Sequence, residues 1–327
     1  MKTLLVGYRA ADLTPQLLEG DVTCHVLDIY HRHAIEKVHH AKVFCSPHLP
    51  DGPWDVIKFK TGPKIHSGEL ALDLLQEIAQ LLRDGKTDSL PLQKDRRFHL
   101  DFDGRERDRN DLLDKIADNP KRVRSFKAEW PASVPGGEKL LFTSYPGCFC
   151  HRRLDEGGLA LAEVVSRELC SQISDSKFQI SDFRLLDMGC GCGLVGLLIA
   201  DRLRRSDIQT FGHSNIVMVD SHSRAVEAAR ENAEKFGIPA EVILSDNGTP
   251  ARMDGTFDVF VGNPPYYSDY RIAEVFLDTA KRALKPGGIC YTVVKNAAGL
   301  KPVQEKYFPS VEVIPRRNYS VLKSVKG

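Results

Sequence analysis

Residues 183–196 read Phe183-Arg184-Leu185-Leu186-Asp187-Met188-Gly189-Cys190-Gly191-Cys192-Gly193-Leu194-Val195-Gly196: a short apolar run, an acid, three glycines at alternate positions, then more apolar sequence. The apolar run predicts a buried strand over 183–188, and apolar residues at helical spacing predict a helix over 194–203. Glycines at such a turn let the backbone bend tightly and let a ligand approach closely. The helix N-terminus beyond them offers free N–H groups to a carboxylate or phosphate.

Outward from this loop the chain alternates strand and helix. A second buried-type strand spans 215–220 and ends in Asp220, followed by a helix over 223–236 that stops at Gly237. Further strands are predicted at 241–244, 257–261 and 289–295. Between the last two lies an amphipathic helix over 272–284, ended by Lys285-Pro286-Gly287-Gly288. Residues 311–314 and 319–322 predict a closing antiparallel pair. This is the pattern of a doubly wound α/β sheet.

The glycine loop alone leaves two ligands open. Gly191-Cys192-Gly193-Leu194-Val195-Gly196 satisfies the dinucleotide pattern GxGxxG, and Asp220 could accept both ribose hydroxyls of either a nicotinamide cofactor or S-adenosylmethionine. Asp187, just before the first glycine, suits the amino-acid end of S-adenosylmethionine and would repel a pyrophosphate.

The tetrapeptide Asn263-Pro264-Pro265-Tyr266 points the same way. It follows the strand ending at Val261, at the carboxyl edge where such sheets bind ligands. An amide or aromatic NH₂ is a poor nucleophile because its lone pair is delocalised. The Asn263 side-chain oxygen and the Pro264 carbonyl could accept both hydrogens and aim the lone pair at a methyl group. The prolines stiffen the loop, and Tyr266 could stack on a flat substrate, as aromatic side chains hold flipped bases. Positioning and electrostatics would then carry catalysis without a strong general base.

The N-terminal half reads as a worn copy of this plan. Lys2 to Gly7 resembles a first strand, His25 to Asp28 a strand ending in an acid, and Trp54-Asp55-Val56-Ile57 echoes Phe257-Asp258-Val259-Phe260. A helix over 69–82 follows. Echoes in the same order argue for duplication. At the place of Asn263-Pro264-Pro265-Tyr266 this half has Lys60-Thr61-Gly62-Pro63-Lys64. Lysine cannot accept hydrogen bonds from NH₂, so this copy is expected to be catalytically silent, with Lys58, Lys60 and Lys64 suited to phosphate contacts. The expected division is a degenerate methyltransferase-like domain over 1–130, a Pro/Ser/Gly linker over 131–137, and a catalytic domain over 138–327. Lys121-Arg122-Val123-Arg124 with Phe126, Lys127 and Trp130 is a basic, aromatic stretch, read as a solvated face or an RNA contact.

Composition bounds the rest. With 327 residues, 42% hydrophobic and 27% charged, the chain has enough apolar content to fold into two domains and none of the bias of a disordered one. No apolar run approaches the roughly 18 residues of a membrane span, and the start, MKTLLVGYRAAD, is too soon polar for a signal peptide. The eight cysteines show neither CxxC pairing nor zinc spacing, which points to a reduced, cytoplasmic protein without metal. His31, His33, His39 and His40 are expected on one helix, spaced so that they do not converge. A net charge of +1 gives no global pull on nucleic acid, so RNA contacts must be local.

On Asn263-Pro264-Pro265-Tyr266 and on Phe149-Cys150-His151-Arg152-Arg153-Leu154-Asp155-Glu156-Gly157-Gly158, the sequence resembles the bacterial ribosomal-RNA guanine-N(2)-methyltransferases of the RsmC/RlmG type, class I S-adenosylmethionine-dependent enzymes. The resemblance is close over 149–295 and extends to the N-terminal half only in plan. It implies two Rossmann-like methyltransferase domains, the first a degenerate copy, with S-adenosylmethionine as cofactor and ribosomal RNA or a ribosomal subunit as partner. Carried over by residue, Gly189, Gly191 and Gly193 would meet the methionine part, Asp220 the ribose, and Asp246 with Asn247 the adenine. Phe149, Arg153, Asp155 and Gly157 would line the cofactor and substrate pocket. Family members often have Phe where Tyr266 stands, and Tyr there also suits enzymes that methylate the glutamine amide of release factors. That reaction, and a non-enzymatic RNA-binding assembly factor, are the rival readings.

Overall fold

The computed structural model describes residues 1–62, 65–82, 97–102, 105–109, 112, 125–174, 183–205, 215–265 and 270–327. The chain divides into two compact units. The first comprises 1–127 with 145–147 and 222–224; the second comprises 128–144, 148–221 and 225–327.

In the first unit, apolar runs rich in β-branched and aromatic residues form β1 (Lys2–Val6), β2 (Asp21–Val26), β3 (Lys42–Cys45), β4 (Val56–Thr61) and β5 (Arg97–Phe102), and a charged strand β6 (Arg105–Asp108) closes the edge. The sheet order is β3-β2-β1-β4-β5-β6, parallel except for β6, which runs antiparallel to β5. Helix α1 (Ile29–His39) starts at Asp28, whose carboxylate accepts the Tyr30 N–H at 2.9 Å. Asp28 therefore acts as a helix cap. Helix α2 (Gly68–Leu81), capped by Ser67, buries Leu70, Leu74, Leu75 and Ile78, which share one face at helical spacing.

The second unit opens with a hairpin, β7 (Ala128–Ala132) and β8 (Leu140–Ser144). Residues 131–137, expected to be a linker, are the end of β7 and most of the turn of this hairpin. The strand alternates buried Ala128, Trp130 and Ala132 with exposed residues, and Trp130 stacks on its cross-strand partner Phe142 with ring centroids 5.4 Å apart. Proline is tolerated at position 131 because the sheet has only two strands, both of them edges.

The rest of the unit is the expected doubly wound sheet. Its elements are α3 (Glu156–Ser174), β9 (Leu185–Met188), α4 (Leu194–Arg204), β10 (Ile216–Asp220), α5 (Ser223–Lys235), β11 (Glu241–Leu244), β12 (Phe257–Gly262), α6 (Arg271–Ala283), β13 (Leu284–Val294), α7 (Ala297–Glu305), β14 (Glu312–Arg316) and β15 (Tyr319–Val325). The strand order is β11-β10-β9-β12-β13-β15-β14, with β15 antiparallel to both neighbours. Helix α6 ends at Ala283, just ahead of Lys285-Pro286-Gly287-Gly288 as expected, and these four residues lie within β13, which begins at Leu284; the register with β12 shifts between Phe257 and Val259 to absorb them. Helix α7 was not foreseen; Asn296 caps it by accepting the Ala298 N–H at 3.0 Å.

The first five strands of the six-stranded sheet and of the seven-stranded sheet follow one order, third-second-first-fourth-fifth. Among the described residues no helix is long and apolar enough to cross a membrane, and no group of three His, Cys, Asp or Glu is arranged to hold a metal.

Candidate active site

Met188, the last residue of β9, pairs with Val219 of β10 on one side and with Gly262 of β12 on the other. The next residue on each strand is therefore Gly189, Asp220 and Asn263. Three separate motifs thus leave the sheet side by side at its carboxyl edge, where the order turns from β9 to β12. That is the topological switch point at which open α/β sheets take ligands.

The glycine loop is hung from β10. Gly189 and Cys190 both donate to the Val219 carbonyl, at 2.8 and 3.0 Å, and Gly191 donates to Asp220 Oδ2 at 2.9 Å. Gly189, Gly191 and Gly193 have φ of +69°, +56° and +86°, a region in which side chains are strained. Their surroundings differ. A Cβ on Gly189 would lie 2.7 Å from the Phe276 ring, and one on Gly193 would lie 2.8 Å from Leu197, whereas one on Gly191 would meet nothing within 4 Å. The first and third glycines allow packing, and the second presents bare backbone to open space. From behind, the fully buried Asn232 donates to the Cys192 and Thr143 carbonyls, both at 2.9 Å, and so fixes the loop to the hairpin. Burial pushes the thiols of Cys190 and Cys192 well up, so both remain protonated packing groups.

Asp187 is 1% exposed, and its Oδ2 accepts the Gly196 N–H in the first turn of α4 at 2.8 Å. Burial, and secondarily the charge of Asp220, push its carboxyl up to about 7.

The Asn263 loop is joined to the start of α3. Asn263 Nδ2 donates to Asp155 Oδ2 at 2.7 Å. Asp155 also accepts the N–H groups of Gly157 at 3.1 Å and Gly158 at 3.0 Å, as an N-terminal cap does. Pro264 is buried and Pro265 half-buried; Tyr266 lies outside the described residues. Phe149 is 67% exposed, unusual for a ring of that size, and Arg153, four residues further along the chain, is exposed too. Their segment winds tightly, with Cys150 and Arg152 at φ of +55° and +66°, and His151 Nδ1 lies 3.0 Å from Ser144 Oγ. Asp246 and Asn247 follow β11, in a turn where the Ser245 N–H donates to the Asp220 carbonyl at 2.9 Å and Ser245 Oγ donates to Asn247 Oδ1, also at 2.9 Å. Gly248 ends this turn at φ +86°, packed against the buried Thr279.

Sequence reading did not single out Gly158, Phe276, Asn232 or Tyr319. The Tyr319 ring packs on Gly157, with a Cβ there 3.1 Å from its Cε1.

The donor set at the three strand ends fits S-adenosylmethionine. It offers bare backbone at Gly191 and a carboxylate at Asp220 able to accept a diol. The corresponding corner of the first unit is filled instead. Tyr8 is 3% exposed, and Lys60 Nζ lies 5.8 Å from its ring centroid, 3.1 Å from Asp101 and 3.3 Å from Asp12. Lys58 is paired with Glu106 at 2.7 Å. The phosphate contacts expected of Lys58 and Lys60 thus give way to carboxylates of their own unit. Lys64 and the stretch 121–124 lie outside the described residues.

Comparison with known proteins bears on the family and the fold. Residues 139–323 match the family model of the methyltransferase small domain. The chain is 28% identical over 191 residues to the ribosomal RNA small subunit methyltransferase C of Pseudomonas syringae pv. syringae, covering 57% of this chain and 51% of that protein. It is 26% identical over 194 residues to the protein of the same name from Haemophilus influenzae, covering 58% and 52%. The chain thus aligns with about half the length of these relatives. It is also 28% identical to the Bacillus subtilis protein YbxB, which is uncharacterised, covering 62% of this chain and 94% of that one. Among solved structures, the T. thermophilus 16S rRNA N2 G1207 methyltransferase (RsmC), in complex with AdoMet and guanosine, superposes with a TM-score of 0.73 at 19% identity, covering all of this chain and 88% of that one. Because the family model takes in more than half of the sequence and spans the glycine loop, Asp220 and Asn263 alike, the chain belongs to the methyltransferase small domain family.

Proposed function

We propose that the second unit transfers a methyl group from S-adenosylmethionine to the exocyclic amine of a guanine in ribosomal RNA. The observation that carries this reading is the shared exit of Gly189, Asp220 and Asn263 from neighbouring strands, set by the pairing of Met188 with Val219 and Gly262. The cofactor would supply an electrophilic methyl on its sulfonium. Asp220 would accept the ribose hydroxyls, Gly189, Gly191 and Gly193 would line the methionine part, and Asp246 with Asn247 the adenine. Asn263 Oδ1 and the Pro264 carbonyl would accept the two hydrogens of the substrate amine, Pro265 would stiffen the loop, and Tyr266 would stack on the base. Phe149 and Arg153, both exposed, suit a base and a phosphate of the RNA.

The relatives' names support ribosomal RNA as the substrate class. The common strand order supports the first unit as a degenerate copy. That copy would be silent, because its corner is closed by Tyr8 and Lys60.

The test is transfer of labelled methyl to ribosomes, separated subunits, bare ribosomal RNA and release factor, with mass spectrometry of the digested nucleosides. N(2)-methylguanosine in one RNA is the expected result. Label in protein would move the function to glutamine methylation, and no label anywhere, with the cofactor bound, would favour a binding factor.

A further inference from the structure

We propose that Asp155 is a positioning residue for catalysis, holding the Asn263 side-chain amide so that its oxygen, and not its nitrogen, faces the substrate amine. The inference rests on the methyl-transfer reading above and adds a residue to it. By resemblance alone Asp155 would belong to the cofactor pocket.

An asparagine amide is nearly the same shape when turned by 180°, yet the two orientations have opposite chemistry. With oxygen forward, Asn263 accepts a hydrogen from an incoming NH₂. With nitrogen forward, it sets donor against donor. The loop prolines fix the backbone but leave this rotation undetermined. Asp155 determines it: an ionised carboxylate only accepts, so the 2.7 Å contact from Asn263 Nδ2 to Asp155 Oδ2 admits one orientation. The amide is planar, so fixing Nδ2 on Asp155 turns Oδ1 to the other side.

The carboxylate is itself held at both oxygens. Oδ1 takes the Gly157 N–H and Oδ2 the Gly158 N–H, and the Asp155 carbonyl takes the Leu159 N–H at 2.9 Å. The positive end of α3 favours its charge. Two consecutive glycines in the first turn of a helix are costly by propensity, and neither has positive φ. Space explains them. A Cβ on Gly158 would come within 2.6 Å of Asp155 Oδ2, and one on Gly157 within 3.1 Å of the Tyr319 ring. The slot admits the carboxylate against the helix and leaves Oδ2 to serve α3 and Asn263 together.

Burial pushes the Asp155 carboxyl upwards, opposed by these hydrogen bonds. Among the described residues, Glu156, Tyr319, Cys150 and Cys192 are titratable groups near enough to interact with its charge. Once protonated, Asp155 could donate to Asn263 Oδ1 and stabilise the wrong orientation, so turnover should fall on the acid side as this carboxyl titrates.

Asp155→Ser and Asp155→Asn both keep a helix cap, and so separate capping from positioning. With the RNA that the labelling experiment identifies as substrate, both variants should keep cofactor affinity within about twofold. Both should lower kcat about ten- to a hundredfold, less than loss of the Asn263 acceptor itself, and Asp155→Asn should lose the acid limb of the pH profile. Wild-type kcat in Asp155→Ser would overturn the proposal. So would a kcat loss matched by weaker cofactor binding, which would place Asp155 in the cofactor pocket. Should the wild type methylate nothing, the functional reading fails alone, and NMR still decides this one. The Asn263 side-chain ¹⁵NH₂ pair, assigned by its disappearance in Asn263→Asp, should shift in Asp155→Ser; an unmoved pair would refute the contact.

Discussion

Asp220 Oδ2 accepts the Gly191 N–H at 2.9 Å, so the acid proposed to hold a ribose also fixes the one glycine of the loop that faces open space. Asp220→Ala therefore removes a ligand contact and a loop anchor together. Cofactor affinity measured by calorimetry should fall about ten- to a hundredfold, the scale of a hydrogen bond to a charged group. Unchanged affinity would count against the ribose assignment.

Asn263→Ala takes away the acceptor while leaving the glycine loop untouched. Turnover should drop by roughly a hundredfold or more, with cofactor affinity nearly intact, as single-turnover kinetics and calorimetry would show. Near-normal turnover would refute the role of the side chain.

Gly189 and Gly191 make a controlled pair. Both have positive φ, but alanine at 189 would also strike Phe276, whereas alanine at 191 meets nothing. Gly191→Ala should cost only about 1–2 kcal/mol of stability, the strain of a left-handed residue, yet weaken cofactor binding, because its methyl group enters the space a ligand needs. Gly189→Ala should cost more, roughly 2–4 kcal/mol. Urea unfolding of both variants checks the order. If Gly191→Ala binds cofactor as well as the wild type, the open face of the loop is not the binding face.

The second unit was legible in sequence because its signals are local. A strand, a glycine turn and a helix lie within 183–204, and Asn263-Pro264-Pro265-Tyr266 lies at the end of another strand. What escaped notice depends on distant contacts. Asp155 and Asn263 are 108 residues apart, and Phe276 over Gly189 or Tyr319 over Gly157 leave no trace in spacing. One signal was available: an acid followed by Gly157-Gly158 at a helix start asks why a helix tolerates two glycines. The hairpin of β7 and β8 was hidden because proline, serine and glycine serve a tight turn as readily as a linker, and only the cross-strand pair Trp130–Phe142 tells them apart.

Asp187 gives the site a pH signature that can be measured without substrate. Its carboxyl is pushed up to about 7 by burial and by Asp220, against an ordinary value near 4. The folded state therefore holds a proton that the unfolded chain has already released. The stabilisation is complete below about pH 4 and is lost as pH rises towards 7, by up to about 4 kcal/mol. Asparagine at 187 stays neutral and keeps an oxygen for the Gly196 N–H, so Asp187→Asn should remove this decline. The buried His25 and the half-buried His66, both lowered to about 4, act in the opposite sense between pH 4 and 6.5, so the quantity to read is the difference between variant and wild type. Urea midpoints taken from pH 5 to 8 should diverge, with the variant gaining on the wild type as pH rises and levelling above 7. Parallel curves would mean that Asp187 is ionised throughout, and that the loop carries a charge against α4 where a neutral acid is expected.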